Sequence, residues 1–164
     1  MNRANGYKGV ALKECVNPMK NKWRVRWGLT PTNETGENVD FWEEEFGHEP
    51  TKEDIQDFIY KAIDTDAQQK ILSGLTFNGL LVWLSAENQR NYTATAIRIQ
   101  TGDTSVLPVS VKLGTDEAPV LQQFNTAGDF LAFFNTVNKH ISDTLAEAWQ
   151  AKLSIDWDKY DLKE

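Results

Sequence analysis

The sequence predicts an α+β protein: an N-terminal antiparallel β-meander with a helix, followed by helix, hairpin, helix, hairpin and long helix. Three observations carry that expectation. Trp23, Val25, Trp27 and Leu29 recur every second residue, as on one face of a strand. Ile55, Phe58, Ile59, Ala62 and Ile63 fall at the spacings of one helical face. Asn78-Gly79 separates two short apolar runs, and both residues tolerate the positive φ of a tight hairpin turn.

The elements follow in order. Val10, Leu12 and Val16 alternate within residues 7–16, and Asn17-Pro18 then marks a turn. The Trp23–Leu29 strand comes next, then a polar loop over 31–36 and a third strand carrying Val39, Phe41, Trp42 and Phe46. Three antiparallel strands make the simplest arrangement, with an open edge able to pair with another chain. Thr51 is the expected N-cap of a helix, with Asp54 three residues on as a shorter form of the capping box. Asp64-Thr65-Asp66 is expected to restart the chain into a short separate helix ending at Gly74. The Asn78-Gly79 hairpin follows, with Trp83 as its buried anchor, and Ser85 caps a helix over 86–100 that buries Tyr92, Ala96 and Ile99. A second hairpin joins 107–113 to 120–124. The last helix, 126–153, carries the stripe Phe130, Phe133, Phe134, Val137, Ile141, Leu145, Trp149 and Leu153. Residues 155–164 read as a loose acidic tail. The composition shifts near Ile63-Asp64, dividing the chain into a β-rich subdomain, 1–63, and an α+β module, 64–164.

Bulk properties exclude several functions. A net charge of −7 disfavours nucleic acid. The basic cluster Lys20, Lys22, Arg24 and Arg26 alternates along a strand and reads as a solvated sheet face. The polar start predicts no secretory signal, and the longest nearly apolar stretch, 80–84, is too short for a bilayer. The single cysteine, Cys15, rules out an internal disulfide and suits cytoplasmic synthesis.

No catalytic constellation emerges. His48 and His140 belong to no metal-binding spacing, and Asp64-Thr65-Asp66 lacks the glycine and distal glutamate of a calcium loop. Asp156, Asp158 and Asp161 read as solvated acids rather than a cation site. The chain has neither Gly-x-Ser-x-Gly nor a phosphate-binding glycine loop. No enzyme activity, metal or cofactor is therefore expected. Six tryptophans raise an alternative, a glycan- or receptor-binding module using exposed aromatics. The pattern nevertheless places Trp23, Trp27, Trp83 and Trp149 in the core, leaving Trp42 and Trp157 less clearly inside.

The run from Ile71 to Gly79, followed by Val82-Trp83-Leu84-Ser85-Ala86-Glu87-Asn88-Gln89-Arg90-Asn91-Tyr92, is similar to a domain of unknown function in phage and prophage tail proteins. Val137, His140, Ile141, Ala148 and Trp149 continue that resemblance, which covers roughly residues 64–157. Trp23–Gly28 and Phe46–Thr51 also resemble openings of prophage proteins from Bacteroides-type bacteria. The resemblance implies a tail-associated structural or assembly protein, located in the virion. Its partners would be other virion or tail proteins, with self-association as a further option. Trp83, Ser85, Asn88, Gln89, Asn91 and Tyr92 form the candidate interaction or structural motif. In it the amide cluster is expected to serve structure.

Overall fold

A computed structural model describes residues 1–160. It shows an α+β chain with β1 (Asn2–Tyr7), β2 (Lys13–Asn17), β3 (Lys22–Pro31), β4 (Asn38–Phe46), α1 (Lys52–Ser73), β5 (Leu75–Phe77), β6 (Leu80–Val82), α2 (Ala86–Gln100), β7 (Val109–Gly114), β8 (Pro119–Phe124) and α3 (Ala127–Leu153). The chain divides into two compact units: Met1–Thr65 together with the chain from Gln150, and Asp66–Trp149. The boundaries fall inside α1 and α3. The expected second subdomain, 64–164, had included the C-terminal stretch that in fact belongs to the first unit.

The first unit holds a four-stranded antiparallel sheet in the order β1-β4-β3-β2. The expected meander is β2-β3-β4, and β1 adds a fourth strand on the far side of β4. That strand, Asn-Arg-Ala-Asn-Gly-Tyr, has no apolar alternation to announce it. Gly6 keeps it close to its neighbour, since a Cβ there would stand 3.2 Å from a Phe41 ring carbon. The sheet's open edges are therefore β1 and β2. Val25, fully buried on β3, pairs with Lys13 on one side and Glu44 on the other.

The basic strand is not a solvated face throughout. Lys22 and Arg24 pair with Glu45 at 2.7 and 2.8 Å. Arg26 is buried: its Nε donates to Glu43 at 2.9 Å, Nη2 to Glu14 at 2.6 Å and Nη1 to the Ala11 carbonyl at 2.7 Å. A buried guanidinium needs such saturation, because an unpaired charge there would be strongly destabilising. The unit's other buried hydrophobic side chains come from β4, α1 and the C-terminal segment: Val39, Phe41, Ile55, Phe58, Ile59, Ala62, Ile63, Ile155 and Tyr160.

The described part of the C-terminal tail is ordered into the unit. Ile155 and Tyr160 are buried, residues Trp157–Tyr160 form a 3₁₀ turn, and the Tyr160 hydroxyl donates to the Arg26 carbonyl at 3.1 Å. Burial pushes that phenol's pKa up. The expectation for 161–164, Asp161 included, lies outside the described residues.

The expected break at Asp64-Thr65-Asp66 does not occur, and α1 runs unbroken to Ser73. Thr65 donates its hydroxyl to the Lys61 carbonyl one turn back at 2.7 Å, so it serves the helix interior rather than a new cap. At the start of α1, Asp54 N–H donates to Thr51 Oγ1 at 3.2 Å. Thr51 N–H in turn donates to Asp54 Oδ2 at 2.9 Å, completing a reciprocal capping box.

The second unit is held by aromatic packing. Phe124, Phe130, Phe133 and Tyr92 are buried beside Val82, Leu84, Ala96, Ile99, Val111, Leu113 and Val137. Phe133 sits at the centre, with ring centroids 5.2 Å from Phe77, 5.3 Å from Tyr92 and 5.0 Å from Phe124. The β5–β6 turn has Asn78 at φ 50° and Gly79 at φ 78°, the tight hairpin expected of that pair.

Two expectations about this core need correction. On α3, Phe130, Phe133 and Val137 are buried, but Leu145 is 48% exposed, Trp149 63% and Leu153 76%. Each step of four residues advances about 40° beyond a full helical turn. The series 141, 145, 149, 153 therefore swings out of the core, and Thr144 takes the buried position instead. Trp83 is also not an anchor: it is 46% exposed, between buried Val82 and Leu84. In extended chain, alternate side chains face opposite ways, so burying 82 and 84 turns 83 outward.

Candidate functional site

The sequence motif gathers where the β5–β6 hairpin passes into α2. Leu84 N–H donates to the Leu72 carbonyl at 2.9 Å, tying the chain after β6 to the end of α1. Ser85 is the N-cap of α2, and its hydroxyl accepts from Asn88 N–H at 3.2 Å. Two amides then fasten the junction. Asn88 Nδ2 donates to the Trp83 carbonyl at 2.8 Å, and Gln89 Nε2 to the Leu84 carbonyl at 2.8 Å. The amide cluster thus does structural service at two of its three positions, and Asn91 is exposed. Tyr92 turns inward to Phe133, and burial raises its pKa.

Beside this junction lies a concavity of about 400 Å³. Its apolar wall is Trp83 and Leu81. Its polar wall is Asn88 together with Lys112, Thr115, Asp116 and Glu117 from the β7–β8 hairpin. A second concavity of about 190 Å³, lined in part by Asn91, Tyr92 and Ser110, shares Asn88 and Lys112 with it. Of the six motif residues, Trp83 and Asn88 meet at the larger concavity, Asn91 and Tyr92 at the smaller, while Ser85 and Gln89 line neither.

Lys112 donates to Asp116 at 2.7 Å, and that contact lowers the Asp116 pKa, so the carboxylate is ionised and accepts only. Leaving Trp83 half-exposed forgoes on the order of 2–3 kcal/mol of burial. The β7–β8 residues escaped the sequence reading because Gly114 to Pro119 signalled only a connector. Their charged residues, Lys112 then Asp116 and Glu117, are visible in the sequence but carry nothing that links them to the motif.

Elsewhere, His48 Nε2 lies 3.0 Å from Asp54 Oδ2 at the start of α1, and His140 donates from Nε2 to the Lys70 carbonyl at 2.9 Å. Both histidines thus serve helix ends. Cys15 is exposed on β2. Among the described residues, no group of three His, Cys, Asp or Glu is placed to hold a metal ion, and no helix is long and apolar enough to cross a membrane.

Comparison with protein-family models, with curated proteins and with solved structures finds no match.

Proposed function

We propose that the protein is a non-enzymatic, phage or prophage tail-associated structural or assembly part that acts through protein–protein contacts. The observation that carries this reading is the outward turn of Leu145 and Trp149 on α3, 48% and 63% exposed. Partly exposed large apolar side chains one turn apart on a helix form the kind of patch that partners cover, and tryptophan is enriched at the centres of such interfaces. The tail assignment is supported by the resemblance of residues 71–92 and 137–149 to tail-associated proteins. The partner is another virion or tail protein, or a second copy of this chain.

The test is quantitative mass spectrometry on gradient-purified particles from the source strain, comparing the natural chain with Leu145→Asp/Trp149→Ala. The expected result is stoichiometric peptides from the natural chain and at least about a tenfold loss of incorporation for the variant, at unchanged melting temperature. Absence of the natural chain from particles and from assembly intermediates, or full incorporation of the variant, would sink the reading.

A further inference from the structure

We propose that the larger concavity at the β6–α2 junction is a binding subsite for a neutral saccharide, with the Trp83 indole as its platform. This site is separate from the α3 face and does not rest on the tail reading.

A pyranose ring has a patch of C–H groups on its face and hydroxyls around its rim. It needs a flat apolar wall with donors and acceptors set at that wall's edge. Trp83 and Leu81 supply the wall, and Asn88, Thr115, Asp116 and Glu117 supply the edge. The volume, about 400 Å³, lies in the range of roughly 300–1,000 Å³ usual for small-molecule sites.

The backbone beneath the platform is held before any ligand arrives. The Trp83 carbonyl is held by Asn88 Nδ2, and the next residue by Leu72 and Gln89. An aromatic on a pre-set backbone binds without first ordering a loop. Asn88 has committed one N–H to that task, leaving its second N–H and its carbonyl oxygen for hydroxyls. Among the described residues lining the concavity, Lys112 is the sole cation, and Asp116 already holds it at 2.7 Å. With Glu117 beside that pair and a net charge of −7, the site discriminates against phosphate, sulfate and uronate groups. A neutral polyol meets no such penalty, and the carboxylates of Asp116 and Glu117 are strong acceptors for its hydroxyls.

The experiment titrates maltotriose, cellotriose and chitotriose, each to millimolar concentration, into the full chain. Tryptophan emission and amide NMR shifts are the readouts. At least one of the three should give a saturable emission change, with shifts centred on the Trp83 indole N–H, the Asn88 side-chain amide and the backbone of 114–117. Trp83→Ala should weaken that binding at least about tenfold, equivalent to about 1.4 kcal/mol. Trp83→Phe and Glu117→Gln should give smaller losses. The substituted side chains are exposed, and unchanged melting temperatures will show that the variants fold. The proposal is overturned by absence of a saturable response to all three sugars, by equal affinity in Trp83→Ala, by shifts centred elsewhere, or by tighter binding of a sulfated analogue.

Discussion

Both units bury apolar side chains, but each adds different chemistry to that burial. In the first, the β3–β4 ladder carries charge across the sheet, with Lys22, Arg24 and Arg26 facing Glu43 and Glu45, and one of those cations is buried. In the second, the interior is a cluster of aromatic rings centred on Phe133. A ring cluster gains from burial and edge-to-face geometry, roughly in proportion to area. A charge ladder gains little where it is wet, about 0–1 kcal/mol per exposed pair, and is costly to break where it is dry. The difference teaches where each unit is vulnerable: both to lost volume, since the first also buries Phe41, Ile55 and Ile59, and the first to lost pairing as well.

The largest expected effect comes from Phe133→Ala. Phe133 is fully buried and touches Phe77, Tyr92, Phe124 and Phe130, so truncation removes burial and leaves a cavity. The cost should be about 3–5 kcal/mol. Hydrogen exchange read by mass spectrometry should show the loss in β5, α2, β7 and α3 up to Trp149. Equal loosening of β2, β3 and β4 would abolish the distinction between the units.

Arg26→Ala should come next, at about 2–4 kcal/mol, with faster exchange in β2–β4. The figure lies below that for a fully dry pair because Glu14 remains 37% exposed and can take water, whereas Glu43 is 13% exposed. The sharper test is the double change Arg26→Met/Glu43→Met, which removes both charges and keeps the volume. It should recover most of the loss. A double variant as unstable as Arg26→Ala would mean that what is lost besides the Arg26–Glu43 pair, namely the Arg24 contact of Glu43, the Ala11 carbonyl bond and the packing, dominates at this strand.

How much of this was written in the sequence depends on whether the local pattern is decided locally. The capping box at Thr51 and Asp54, the Ser85 cap, the Asn78-Gly79 turn and the Tyr92–Ala96–Ile99 face were all legible, because short-range geometry dictates them. β1 was not, since a strand held by its partner's backbone needs no apolar alternation of its own. Arg26 looked solvated because alternation assigns a face, and only the sheet's surroundings decide whether that face meets water. At the candidate site the Trp83 and Asn88 motif was legible as a unit, but the outward turn of Trp83 followed only once Val82 and Leu84 were seen to be buried. The β7–β8 wall, some thirty residues away in sequence, had no signal linking it to the motif.

Acid is the perturbation to which the two units should respond alike, and the effect should be the smallest. In the first unit, Asp54 is held at about 2, below its ordinary 3.8, by the His48 ring first and then by the Thr51 backbone and hydroxyl. In the second, Asp103 is held at about 2 by the Ser105 hydroxyl, then Arg98 and the Ser105 backbone. Both folded-state values are depressed, so each carboxylate's stabilisation is fully present above the unfolded value, near 4, and is lost as pH falls through about 2. Both groups are largely in water, which limits the size of the effect. Urea midpoints measured from pH 5 to pH 2 should therefore fall less steeply for Asp54→Asn and for Asp103→Asn than for the natural chain. Asn at 54 can still accept from the Thr51 N–H but has no charge to lose. Parallel midpoint curves for Asp54→Asn and the natural chain would mean that its box contributes no acid-sensitive stability. Flattening in Asp54→Asn without flattening in Asp103→Asn would assign the acid response to the charge-paired unit alone.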